Sequence, residues 1–145
     1  MSSNNRLFVD GLFELRAQLE GLPAQLVEDA KPIVTANAAG ANREITAAYE
    51  AHERARKADF PSHMKTVDHT KQPGTFVLDV QNDSPLARVF EWGSAVRHTA
   101  LGANRGQMPA ENVFLPRYYS WHHRMIDELS GMLEQHGFTV TGYVG

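Results

Sequence analysis

The stretch Gln72-Pro73-Gly74-Thr75-Phe76-Val77-Leu78-Asp79-Val80 decides the fold, because by this point helical spacing of apolar residues has given way to β-type alternation. Thr75 to Val80 reads as a strand, and Gln72-Pro73-Gly74 reads as the turn before it. Met64 to His69, upstream of that turn, alternates in the same way. Two antiparallel strands joined at 72–74 are therefore predicted.

Working back from this hairpin, the sequence is helical. Leu7, Phe8, Leu12, Leu15, Leu19 and Leu22 recur at the spacings of an amphipathic helix that begins near Arg6, and Gly21 and Pro23 mark its end. From Ala24 to about Ala58 the chain is rich in Ala, Glu, Arg and Gln, with Leu26, Ala30, Ile33, Val34, Ala38, Ala41, Ile45, Ala48 and Tyr49 at helical intervals. This predicts one long helix or two in series, with a kink expected at Pro32 or Gly40. The small residues Ala36, Ala38, Ala39, Gly40 and Ala41 suit close approach by another element of the fold or by a neighbouring subunit.

Working forward, Asn82-Asp83-Ser84-Pro85 is a second turn cluster, leading into Leu86 to Trp92 as a third strand or a short helix followed by strand. Residues 93–112 carry Gly93, Gly102, Gly106 and Pro109 and show little periodicity, so a long loop is expected. A loop of that length without secondary structure of its own usually has a function, which makes it a candidate contact arm. Pro116 opens a last helix to about Gln135, with Tyr119, Met125, Ile126, Leu129 and Leu133 towards the core. Gly137 ends it, and 138–144 alternates as a closing strand. The fold class is α+β: long N-terminal helices on a small, mainly antiparallel sheet, with a C-terminal helix and closing strand. One domain over 1–145 is expected, helical over 1–58, strands over 59–92, loop over 93–112, helix over 113–136 and strand over 138–144.

The composition narrows the function. Hydrophobic residues are 42% and charged residues 21% of 145, which is ordinary for a folded chain that builds its core without a cofactor. A formal net charge of −3 argues against a protein that grips nucleic acid over its whole surface. With no cysteine there is neither a disulfide framework nor a thiolate site. No cationic N-terminal patch leads into an apolar stretch, and no apolar run approaches the roughly 18 residues that span a bilayer. The chain is expected to stay in the cytoplasm of the cell that makes it until something carries it elsewhere.

Reactive constellations are sparse. His122 and His123 are adjacent and point about 100° apart on a helix, a poor arrangement for one metal ion. His52, His63, His69, His98 and His136 are spread over separate elements, and no HExxH or HxH occurs. The elbow GxSxG, an SxxK pair and the phosphate-cradling glycine motifs are missing too. No catalytic, cofactor-binding or metal-binding residue is assigned, and the chain is not expected to be an enzyme. Two other classes are kept in view: a small metal-dependent or ligand-binding enzyme built on His98, His122 and His123, and a DNA-binding protein using the Arg54, Arg56 and Lys57 stripe.

Leu86-Ala87-Arg88-Val89-Phe90-Glu91-Trp92-Gly93-Ser94 resembles a pattern carried by the head–tail joining, or tail-completion, proteins of long-tailed bacteriophages: a small-apolar strand, then Glu, an aromatic, Gly and Ser or Thr. Pro61-Ser62-His63-Met64 is similar to the proline-led entry into that family's first strand, and Phe114-Leu115-Pro116-Arg117 resembles its Phe-Leu-Pro-Ala segment. The chain departs from the family at Ser62-His63, where Thr-Gly is usual, at Arg117, where Ala is usual, and in the longer loop from Ala95 to Asn112.

The resemblance implies a virion subunit of the neck or tail end that forms a ring, six-fold in this family, and joins the finished tail to the filled head. Its partners would be further copies of itself, a head connector or stopper, and tail terminator or tail tube proteins, with DNA passing through the lumen unbound and no membrane involved. A tail terminator capping the tube is the neighbouring alternative. Under this reading Ala38, Gly40, Glu91 and Trp92 are candidates for the subunit interface. Gly93, Arg97, Asn104, Arg105 and Arg117 are candidates for contacts with adjoining layers or subunits. Gly93 is expected to take a positive φ, and Glu91 to lie on a strand face, solvated or paired across a subunit boundary.

Overall fold

The computed structural model of the chain describes residues 24–141. The helix predicted from Arg6 to Leu22 and residues 142–144 of the closing strand lie outside them. α1 spans Ala24–Ala51 and runs without interruption through both Pro32 and Gly40. Pro32 deprives only the exposed Glu28 carbonyl of its helical donor, a group that water can serve. α2, Glu53–Lys57, follows after a break at His52, and Asp59 takes a left-handed φ of 58° to turn the chain into a 3₁₀ turn, Phe60–His63.

β1, Met64–Asp68, pairs antiparallel with β2, Leu78–Asn82, in the register Met64 with Asn82 through Asp68 with Leu78. The turn falls at 72–74, as the Pro-Gly pair implies, but the second strand starts three residues later than predicted. Thr75 is held by the turn, donating from both N and Oγ1 to the Gln72 carbonyl, and Thr70 Oγ1 accepts from Val77 N. A two-stranded hairpin is marginal alone; this one lays β2 along α1, with every β2 residue buried.

Asn82 is fully buried and staples the second turn, donating Nδ2 to the Phe60 carbonyl at 3.0 Å and accepting from Ser84 N at 3.0 Å. The chain then enters α3, Ala87–Trp92. Of the two readings of Leu86–Trp92, the helix is the one that forms, and no strand follows directly. Residues 93–112 contain a small ribbon of β3, Arg97–His98, and β4, Asn104–Gly106, where a structureless loop was expected. α4 spans Phe114–Gln135 and packs along α1. Pro116 is its third residue, still in the first turn, where its missing N–H is an orphan in any case. Residues 138–141 form no strand.

The core lies between α1, α4 and the hairpin. Val34, Ala38, Ala41, Ile45 and Tyr49 from α1 meet Phe114, Tyr118, Met125, Leu129 and Met132 from α4, with Leu78, Val80, Phe60 and Phe90 closing the end. Tyr118 and Met132 take inward places expected of Tyr119 and Leu133, and Tyr119 is exposed. Tyr49, Phe60 and Phe90 form a knot of edge-to-face rings with centroids 5.1 to 6.0 Å apart, each pair stabilising by about 0.5–1.5 kcal/mol beyond its buried area. No helix among the described residues is long and apolar enough to cross a membrane.

Candidate assembly interface

Two surfaces stand out: an arm that leaves the body at α3, and a cleft between α1 and α4. The arm begins at Gly93, whose φ of 76° is the positive value expected. A Cβ there would stand 2.7 Å from the Met108 carbonyl oxygen and 3.0 Å from Ala110 N, so only glycine fits. Ser94 N donates to the Met108 carbonyl, Met108 N donates to Ser94 Oγ, and Glu111 N donates to the Phe90 carbonyl, all at 3.0 Å. Both roots of the arm are thus tied together and to α3.

Beyond the roots the arm touches almost nothing but itself. Thr99 N donates to the Ala103 carbonyl at 2.8 Å, Ala103 N to Thr99 Oγ1 at 3.0 Å, and Gly106 N to Asn104 Oδ1 at 2.6 Å. Every residue from Ala95 to Gln107 is exposed except the half-buried Thr99, and Leu101 at the tip is 97% exposed. Arg97 and Arg105 have no ion-pair partner among the described residues, and the segment holds no carboxylate.

Glu91 is not where it was expected. The structure buries it completely inside its own chain: α3 is a helix, so Glu91 does not alternate away from Phe90 as it would in a strand. Its Oε1 accepts from Tyr49 Oη at 3.0 Å and from Phe114 N at 2.9 Å. Val113 offers α4 no side-chain cap, and the Glu91 carboxyl takes that place from 23 residues away. Burial pushes the Glu91 carboxyl above the usual carboxylate range, against the opposing effect of the Phe114 N–H, the Tyr49 hydroxyl and the Leu115 and Val113 peptides. Burial also raises the Tyr49 hydroxyl, and the adjacent Glu91 raises it further. Trp92, the neighbouring candidate, is 48% exposed with the Arg88 guanidinium over its ring at 5.4 Å.

The cleft is built from two matched helical stripes, Val34, Asn37, Ala38 and Ala41 on α1 and Tyr118, Trp121, His122 and Met125 on α4, with Val80 behind them. It is narrow and almost wholly apolar, with room for little more than a water molecule, and Val34, Ala41, Val80 and Met125 on its walls are buried. Gly40 lets α4 approach, since a Cβ there would fall 2.4 Å from the Trp121 ring. Of the two uses foreseen for the small-residue run, contact within the fold accounts for Gly40. Carboxylates flank the cleft: Trp121 Nε1 donates to Glu44 Oε2 at 2.6 Å, and Asn37 Nδ2 donates to Glu128 Oε2 at 2.9 Å. The other Asn37 amide atom, Oδ1, is buried with no hydrogen-bond partner. Arg117 serves its own helix, donating to the Val113 carbonyl at 2.9 Å, with its Nε 3.9 Å from Glu44.

The predicted residues therefore separate. Gly93, Arg97, Asn104 and Arg105 belong to the arm, Ala38 and Gly40 to the cleft, and Glu91 to the interior. Asn37 and Trp121 went unread in the sequence as parts of the α1–α4 contact, whereas Met125, read as a core residue, is one; the helical spacing on both elements was the available signal.

Four of the seven histidines each meet a carboxylate: His63 with Asp83, His69 with Asp79, His136 with Asp29 and His52 with Glu111. Among the described residues, no group of three or more His, Asp or Glu comes together in a way that could hold a metal ion. In the basic stripe, Arg54 pairs with Glu111 at 2.6 Å and Lys57 with Glu53 at 2.6 Å. No family model, curated protein or solved structure matches this chain.

Proposed function

We propose that this chain is a structural subunit of a long-tailed bacteriophage, acting at the neck or tail end by assembling into a ring that completes the tail and joins it to the head. The observation that carries the reading is the arm. A ribbon of two short strands that buries nothing in its own subunit is marginal in isolation, so its binding energy is available for a partner. The phage context rests on the resemblance of the segment around Phe90-Glu91-Trp92-Gly93-Ser94 and of its flanking motifs. A net charge of −3 suits a lumen through which DNA slides, because a basic wall would hold the phosphates.

The mechanism is one of shape. A protrusion that meets a different surface of the next copy makes a heterologous contact, which closes into a ring when the rotation per subunit divides a full turn. The test is excision of the arm without disturbing its root: His98 to Arg105 are removed and Arg97 is joined to Gly106, its strand partner, through an Asn-Gly turn. The shortened protein is expected to fold with unchanged helical content and to fail in joining heads to tails in a reconstitution assay. Infectious particles at normal yield would sink the proposal. Capping of isolated tail tubes by the full-length protein would move the assignment to a terminator.

A further inference from the structure

We infer that the outer face of α3, with the base of the arm, packs against an exposed flank of α4 in a second copy of the chain, Arg88 and Arg97 meeting Asp127 and Glu134 there. This rests on the reading of the chain as a self-assembling subunit and names the two faces that meet.

α3 is apolar on both sides. Ala87 and Phe90 are buried in the body, whereas Trp92 is 48% exposed, Val89 is half-buried and Leu86, at the N-cap, is 60% exposed. A helix that is apolar all round belongs in an interior, and in the single chain the outer half of α3 is open. Val96, at the base of the arm, is 50% exposed and adds to the same patch, of the kind that marks a protein contact. The charge around it says what the cover must be. Residues 85–110 hold Arg88, Arg97 and Arg105 and a single acid, the buried Glu91. Arg88 lies over the Trp92 ring, and none of the three arginines has an ion-pair partner among the described residues. An apolar centre with a cationic rim is complemented by an apolar surface edged with carboxylates.

α4 carries such a surface beside its buried stripe. Among the described residues, the large exposed apolar side chains outside 86–101 are Tyr119 and Phe138. Tyr119, Ile126 and Leu133 follow one another at helical i, i+7 spacing and so line one flank of α4, Tyr119 exposed and the other two half-buried. Phe138 continues that end, its N–H donating to the Leu133 carbonyl at 3.1 Å. Asp127 and Glu134, each next in sequence to a member of the line, border it; both are exposed and neither has an ion-pair partner among the described residues. The balance of the whole chain favours the same pairing. Only one of its 17 acidic residues but three of its 14 basic ones lie in 85–110, which leaves the rest of a second copy net negative. The two faces are different surfaces, so the contact repeats head-to-tail, the kind that generates rings.

Trp92 reports on the cover. With Trp121→Phe it is the one tryptophan left of two. Its emission is expected to move to shorter wavelength and to lose acrylamide quenching as protein concentration rises, in step with the mass measured by light scattering. Independently, in the otherwise wild-type chain, Asp127→Lys with Glu134→Lys is expected to weaken self-association by about tenfold or more, and adding Arg88→Glu and Arg97→Glu to restore part of it. All four positions are exposed, so the core is left intact.

Assembly with Trp92 still as open to acrylamide as in dilute protein, or without any effect of the reversals, overturns this inference and leaves the ring reading standing. A wild-type protein that stays monomeric at every concentration overturns both. Trp92 already shielded in the dilute monomer would show the face covered within its own chain. Shielding that appears only with duplex DNA, or only with phosphatidylglycerol vesicles, would show the cationic face to be a contact for phosphates. Each of these results overturns a second copy as the occupant.

Discussion

At the scale of single residues, Glu91 is the side chain whose replacement tells most. Its Oε1 serves two donors, Tyr49 Oη and Phe114 N, in a site without water access. Glu91→Ala orphans both, at about 1–3 kcal/mol each, and is expected to lower stability by roughly 3 kcal/mol or more where the Glu91 contribution is fully present. Glu91→Gln keeps the acceptor and removes the charge, so it is expected to cost less than the alanine. The pH profile separates the two effects. Burial raises the folded-state pKa of Glu91 above that of the unfolded chain, so its contribution is fully present below the ordinary carboxylate range and is lost as pH rises through the raised value. Urea unfolding of the wild type should show that decline, and the glutamine variant should not; equal slopes in both would refute the assignment.

Asp83 runs the opposite way. Hydrogen bonds from Lys65 Nζ at 2.5 Å and His63 Nδ1 at 2.7 Å hold its carboxyl below the usual range. Its contribution is present above the unfolded carboxylate pKa and is lost as pH falls through the lowered folded value. Because the pair is solvent-accessible, Asp83→Asn is expected to cost at most about 1 kcal/mol, a loss that shrinks in high salt when measured by thermal unfolding.

At the scale of elements, the α1–α4 contact turns on Gly40. Alanine there gains about 1 kcal/mol of helix propensity. It also drives a Cβ into the Trp121 ring, which is held by Glu44 on one side and by the Arg124 guanidinium at 5.0 Å on the other. Overpacking of this kind costs typically 1–3 kcal/mol, so Gly40→Ala is expected to be destabilising by about 1 kcal/mol net. In a double-mutant cycle with Trp121→Ala the penalty should vanish and the propensity gain appear; a purely additive cycle would mean that the ring is not the obstacle.

The same elements show how far the sequence could be read. α1, the hairpin with its turn at 72–74, and α4 were legible because each carries a period or a turn pair strong enough to stand alone. α3 was left between strand and helix because six residues hold less than two turns, too few for 3.6 and 2.0 to diverge. The burial of Glu91 followed from that ambiguity: alternation sent it outward, whereas its true partners, Tyr49 and Phe114, are 42 and 23 residues away. The β3–β4 ribbon left no trace because both of its faces are wet, so no alternation was required of it.

At the scale of the whole molecule, stability is divided in two tiers. Residues of α1 and α4 from Val34 to Tyr49 and from Phe114 to Met132 are tied into one buried cluster, whereas the arm from Ala95 to Gln107 shares only its roots with the rest. Amide exchange follows local opening, so arm amides are expected to exchange orders of magnitude faster than those of Ile45 or Leu129 in the isolated subunit. Binding that orders the arm must slow the same amides, because a bound ribbon opens only when its partner leaves. Protection of residues 97–106 that grows with protein concentration is the pattern that assembly through the arm demands. An arm already as protected as the core in dilute monomer would mean that it is braced within its own subunit, and the argument from its exposure would fail.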